Sequence, residues 1–164
     1  MSSNPPMAPA PLGNTIPRAI GKNFLDPRID AIDVTFYTTL ITLANGQTIP
    51  SQINIDAGTD FYWFASTYQA DVGGAAQTEA NIVIPLMTVV ITDTGSQRQL
   101  MNAPIPITTI AGPGERPYRL ILPRLFRANS IITFNWNNYS SNQTYDLFFV
   151  MHGFRLPPNS PFTL

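Results

Sequence analysis

Turns come too often in this chain for helices to form between them, and they are most closely set between residues 93 and 136. Asp93-Thr94-Gly95-Ser96 closes one apolar run with turn-forming residues. Ala111-Gly112-Pro113-Gly114-Glu115-Arg116-Pro117 forms a second turn, too rich in Pro and Gly for a helix, because proline lacks a donor and clashes with the preceding turn. The segments between are short and mixed (residues 98–101) or β-rich (residues 131–136, IITFNW). Arg116, Arg119, Arg124 and Arg127 fall within twelve residues of this stretch, in a chain with nine basic residues in all.

The rest of the chain repeats this punctuation. Residues 31–43, AIDVTFYTTLITL, are β-branched and aromatic with no Gly or Pro, which predicts a strand. Asn45-Gly46 predicts a hairpin turn after it. Residues 49–55 place Ile49, Ile53 and Ile55 on one face and Gln52 and Asn54 on the other. In Phe61-Tyr62-Trp63-Phe64 alternate rings point opposite ways. One pair is expected in the core; the other, Tyr62 and Phe64, is a candidate subunit interface. Residues 69–81, with Gly73-Gly74, read as a loop, and residues 82–92 as a buried strand bent or bulged at Pro85. Residues 144–156 form a last strand, with Tyr145, Leu147, Phe149 and Met151 on one face and Phe148, Val150 and Phe154 on the other beside Asp146 and His152. About eight short strands and no amphipathic helix predict an all-β fold, an antiparallel β-sandwich of jelly-roll type.

The sandwich is expected over residues 31–157. Before it, residues 1–30 read as an extended N-terminal arm, and after it residues 158–164 as a tail. Six of the sixteen prolines fall in residues 1–28, which favours an extended, partly polyproline conformation. At ~3.1 Å per residue such an arm reaches up to roughly 85 Å. Ile16, Ile20, Phe24 and Leu25 are apolar anchors that a plain spacer would not need, and Arg18, Lys22 and Arg28 add positive charge. These seven residues are the expected assembly contacts of the arm.

Charge narrows the function. Net charge is −1, which argues against a nucleic-acid binder. Charged residues make up 12% of the chain, about half the usual share of roughly 25%. Residues 1–95 carry three basic and eight acidic groups, a balance of −5, and residues 96–164 carry six and two, a balance of +4. Such asymmetry can steer one subunit onto another. There is no cysteine, so burial and hydrogen bonds must hold the fold, as suits assembly in a reducing cytoplasm. Prolines stand where a signal peptide would have its apolar region, and no run reaches the ~18 apolar residues of a membrane helix.

Catalytic signals are sparse. His152 is the sole histidine and sits in an apolar strand, where a hydrogen-bonded structural role outweighs a general-base role. One histidine and no cysteine disfavour a metal site, and the Gly112-Pro113-Gly114 turn lacks the lysine of a phosphate-binding loop. The expectation is no enzyme, no cofactor, and no catalytic or metal residue.

The segments "ITDTGSQRQLMN", "LPRLFRANSIITFNWNN" and "YDLFFVMHGFRL", in that order around a Gly-Pro-Gly turn, resemble small jelly-roll proteins from the structural-gene clusters of tailed bacteriophages. Those proteins look like capsid cement or decoration subunits, and the resemblance covers roughly residues 31–157. It implies a virion structural protein, assembled in the bacterial cytoplasm, that binds the major capsid protein and other virion subunits and self-associates as a homotrimer. It implies no nucleic-acid and no membrane partner. The arm, Tyr62, Phe64 and the four arginines Arg116, Arg119, Arg124 and Arg127 are the candidate contacts. Two other readings stand beside it: a head-vertex, collar or tail component with the same fold, and a carbohydrate-binding module that stacks sugars on the aromatic run.

Overall fold

The computed structural model describes residues 33–74 and 82–158; the arm with its candidate contacts, residues 75–81 and the end of the tail lie outside the described residues. Among the described residues ten strands form two sheets packed as a sandwich. They are β1 (Asp33–Leu43), β2 (Thr48–Asn54), β3 (Asp60–Val72), β4 (Met87–Asp93), β5 (Arg98–Gln99), β6 (Ile105–Pro106), β7 (Gly112–Pro113), β8 (Tyr118–Phe126), β9 (Ile131–Asn138) and β10 (Tyr145–Leu156). The first sheet runs β1-β10-β3, with β7 and β8 both on the far side of β3; the second runs β2-β9-β4, with β5 and β6 on the far side of β4. All pairings are antiparallel except the two-residue contact of β7 with β3. The pairs β1–β10, β2–β9 and β3–β8 are nested, so strands from the two ends of this span lie side by side.

Period-two alternation builds the core. In β9 the buried residues are Ile132, Phe134, Trp136 and Asn138; in β4 they are Met87, Val89, Ile91 and Asp93. In β10, Tyr145, Leu147, Phe149 and Met151, which the sequence places on one face, are buried. In β3, Phe61 and Trp63 join the core and so do Tyr68 and Ala70. The parity changes because β3 is bulged against β10, where His152 pairs with Ala65 and Gly153 with Trp63, leaving Phe64 as the extra residue.

Four sequence expectations are corrected. The Asn45-Gly46 turn forms, with Gly46 at φ +67° and Gln47 N–H donating to the Ala44 carbonyl at 3.1 Å, but it is no hairpin. β1 pairs with β10 and β2 with β9, so the turn carries the chain from one sheet to the other; turn chemistry sets a reversal, not a partner. Asn138 secures this corner: its Nδ2 donates to the carbonyls of Leu43, Ala44 and Gln143, and its Oδ1 accepts from Ser140 N–H. The strand expected over residues 82–92 begins only at Met87, because Pro85 has no N–H to give a ladder; Ile82, Ile84 and Leu86 are exposed. The mixed strand expected over residues 98–101 is only Arg98–Gln99. The loop expected over residues 69–81 begins only after Val72, where β3 ends. Pro123 lies inside β8. Pairing with β3 jumps there from Trp63↔Arg124 to Ala65↔Arg119, and the residues between loop out, leaving Ile121 94% exposed.

Gly153 sits opposite the β3 bulge, where the ring of Phe61 crosses it. A Cβ there would stand 2.0 Å from Phe61 Cε2 and 2.7 Å from the Tyr62 carbonyl oxygen. Gly153→Ala is therefore expected to lower stability by about 1–3 kcal/mol, the cost of an overpacked core, read as a lower urea midpoint at unchanged slope. In the same assay Asn138→Ala, which strands buried carbonyls, should also cost about 1–3 kcal/mol.

Candidate functional site: an apolar sheet face and a basic cleft

The sandwich uses one face of its first sheet. The other face is apolar too. β1 turns Val34, Phe36 and Leu40 outward at 53%, 57% and 60% exposure. Their partners in register on β10 are Phe154, His152 and Phe148, and the next row on β3 is Tyr62, Ala65 and Gln69. A surface of aromatic and aliphatic side chains thus spans three strands. Tyr62 and Phe64, singled out from the sequence, both lie on it, half-buried. Phe64 stacks on Phe154 with centroids 4.8 Å apart, and burial holds the Tyr62 hydroxyl above its ordinary pKa. Continuous apolar area of this kind marks contact surfaces.

His152 lies in the middle of this face. Phe36 meets its ring edge-on at 5.1 Å, and its Nε2 lies 2.9 Å from Thr67 Oγ1 in a hydrogen bond. Burial pushes its pKa below the ordinary 6.5, since the charged imidazolium loses water that one hydroxyl does not replace. Polar groups close one end of the face, where Asp146 stands opposite Asp71 and accepts a hydrogen bond from the Thr42 hydroxyl at 2.5 Å. Arg155, at an inward position of β10, pairs with Asp56 at 2.7 Å.

The four arginines do not gather on this face. Arg116 and Arg119 are exposed at the start of β8 and the turn before it. Arg127 is tied to the buried Asp60 at 2.8 Å, and Asp60 also accepts from Ala128 N–H at 2.8 Å. Arg124 lies over the Phe126 ring at 5.9 Å. Arg124 and Arg127 instead line a cleft of about 320 Å³ with Arg98, which the sequence reading passed over. The four disperse because only Arg119 and Arg124 lie on β8, whose pairing with β3 is bulged between them, while Arg116 precedes the strand and Arg127 follows it. A second concavity of about 350 Å³ opens among Trp63, Leu100, Met101, Ile105, Ile110 and Leu120.

Val34, Phe36 and Leu40 also escaped the sequence reading. Their signal was legible: β1 is apolar at both parities, more than a sheet wet on one side requires. Both tryptophans are in the core, Trp63 through Nε1 donating to the Ala65 carbonyl and Trp136 to the Ser51 hydroxyl, each at 2.8 Å. Among the described residues no group of three His, Asp or Glu side chains stands close enough to hold a metal ion.

The shift of His152 has a signed consequence. Its folded-state pKa is depressed, so between that value and 6.5 the unfolded chain binds more protons than the folded one. The stability linked to His152 is complete above 6.5 and is lost as pH falls toward the folded value. Melting temperatures measured from about pH 7.5 to about pH 5 should therefore fall less for His152→Gln than for the wild-type chain.

Comparison with protein-family models, with curated proteins and with solved structures returns no match to this chain.

Proposed function

We propose that this chain is a structural subunit of a tailed-phage virion, of the cement or decoration type, which self-associates as a trimer and stabilises the head shell. The observation that carries the reading is the outward apolar face of the first sheet, from Val34, Phe36 and Leu40 across Phe148 and Phe154 to Tyr62 and Phe64. A sandwich buries one face of each sheet to fold. A second apolar face on the same sheet adds nothing to that core and is explained by another subunit.

Three further observations support it. The sheet orders β1-β10-β3-β8 and β2-β9-β4-β5, with nested pairing of early and late strands, fit a jelly roll, the fold of many shell proteins. The low charge leaves a surface that repels its own copies weakly. The carbohydrate reading gains nothing, because neither indole is at the surface to stack on a sugar. In this proposal the Pro-rich arm, through Ile16, Ile20, Phe24 and Leu25 and the charges of Arg18, Lys22 and Arg28, fastens the domain to its neighbours in the shell.

Sedimentation of the full chain at micromolar concentration is expected to show an oligomer. Phe36→Asp with Leu40→Asp puts two charges into the face without touching the core, and should yield a folded monomer that no longer co-sediments with expanded heads. Removing residues 1–28 should leave melting unchanged and weaken head binding. A wild-type chain that stays monomeric and ignores expanded heads would overturn the proposal.

A further inference from the structure

We infer that the chain carries a second site, independent of the apolar face: a basic cleft that binds a single oxyanion. The cleft lies where the turn after β4, the end of β8 and the turn before β9 converge, and its volume is about 320 Å³. Arg98, Arg124 and Arg127 line it, three of the nine basic residues of the chain.

The inference rests on donors left without acceptors. Arg124 Nε and the hydroxyl of Ser130 are buried and make no hydrogen bond among the described residues, although both belong to residues that line the cleft. Ser130 is 4% exposed, so bulk water does not serve its hydroxyl. Buried polar groups are nearly always paired, and leaving them unpaired is costly. Guanidinium can only donate, so the missing partner is an acceptor, and beside three arginines an anionic one.

The acidic groups nearby are already committed. Asp93 also lines the cleft, but its Oδ1 accepts from the N–H groups of Gly95 and Ser96 at 3.0 and 3.3 Å, and its Oδ2 from the Ser96 hydroxyl at 2.6 Å. Asp60 is taken by Arg127 and Ala128. Arg98 has no carboxylate partner among the described residues and is exposed at the rim.

The backbone is shaped for the cleft. Gly95 packs so closely on Ser130 that a Cβ would stand 2.6 Å from the serine Cβ. The two non-glycine residues with positive φ among the described residues, Gln97 at 52° and Asn129 at 62°, lie on the two turns that form its walls. Such outliers persist where surrounding structure holds them, and they gather at binding sites. The volume, near the lower end of the ~300–1,000 Å³ of small-ligand sites, admits an oxyanion head with a small group behind it and no extended polyanion. The oxyanion is phosphate-like or carboxylate; it comes either from a free small molecule or from an acidic side chain of a second copy of this chain.

The test compares thermal melting and calorimetric titration of the full chain in sodium phosphate and in sodium chloride of equal ionic strength. Phosphate is expected to raise the melting temperature and to bind at one site per chain. Arg98→Gln, at an exposed position, should melt as wild type does in chloride and bind phosphate at least tenfold more weakly. Ser130→Ala should likewise lose part of the phosphate response. Sedimentation in the two salts identifies the source. Phosphate that stabilises the chain and leaves its association unchanged marks a free small anion as the ligand. Phosphate that dissociates an oligomer marks a carboxylate of the second copy. The inference is overturned if phosphate neither stabilises the chain nor alters its association, or if both variants respond to phosphate as the wild type does. Neither overturning result bears on the apolar face, whose own test is the Phe36 and Leu40 double variant.

Discussion

The two sheets depend on three rings that meet between them. Phe134 and Trp136 of β9 stack at 5.4 Å with planes 8° apart, and Phe149 of β10 meets both edge-on, at 5.5 and 5.4 Å. All three are fully buried. Aromatic pairs in these geometries add about 0.5–1.5 kcal/mol beyond the area they bury. They also set the strand parity. With Phe149 inward, every second residue of β10 must face outward, so Phe148, Val150, His152 and Phe154 are committed to the outer face of the first sheet.

That outer face makes the molecule unusual for a sandwich. β10 is apolar at both parities because it is central, and β1, which pairs with it along its full length, follows suit. A strand covered on both sides reads as a continuous apolar run, while one wet on a side alternates. These strands have the composition of the first kind, and the described residues cover only one face. The imbalance is what the proposed assembly rests on: the described residues leave this face without a layer over it.

The basic cleft obeys different physics. An apolar face works through area and tolerates many partners, whereas the cleft works by matching acceptors to donors that cannot reach water. Arg124 belongs to both the architecture and the cleft. Its guanidinium covers Phe126 at the edge of the core, while its Nε carries a hydrogen atom without an acceptor among the described residues. Asp60 and Asp93, the buried carboxylates nearby, fix turns and leave Arg98, which has no carboxylate partner among the described residues, at the opening.

Local chemistry determined much of this structure. Period-two patterning set the inward residues of β9 and β10, and alternation alone separated Phe61 and Trp63 from Tyr62 and Phe64. Gly and Pro punctuation set where the chain turns. Which strand pairs with which, however, is decided over long range. Asn45-Gly46 reverses the chain as its chemistry dictates, yet the strands it joins belong to different sheets, because β10 and β9 offer each a full-length partner. The same holds for the candidate sites. Arg116, Arg119, Arg124 and Arg127 are neighbours in sequence and disperse in space, because only Arg119 and Arg124 lie on β8, whose pairing with β3 is bulged between them. Arg98 and Ser130, unremarkable in the sequence, meet Arg124 only because two turns from separate strands converge. Faces follow from side-chain periodicity, a property of adjacent residues; partners and clefts follow from hydrogen bonds between residues far apart in the chain, which only the closed sandwich brings together.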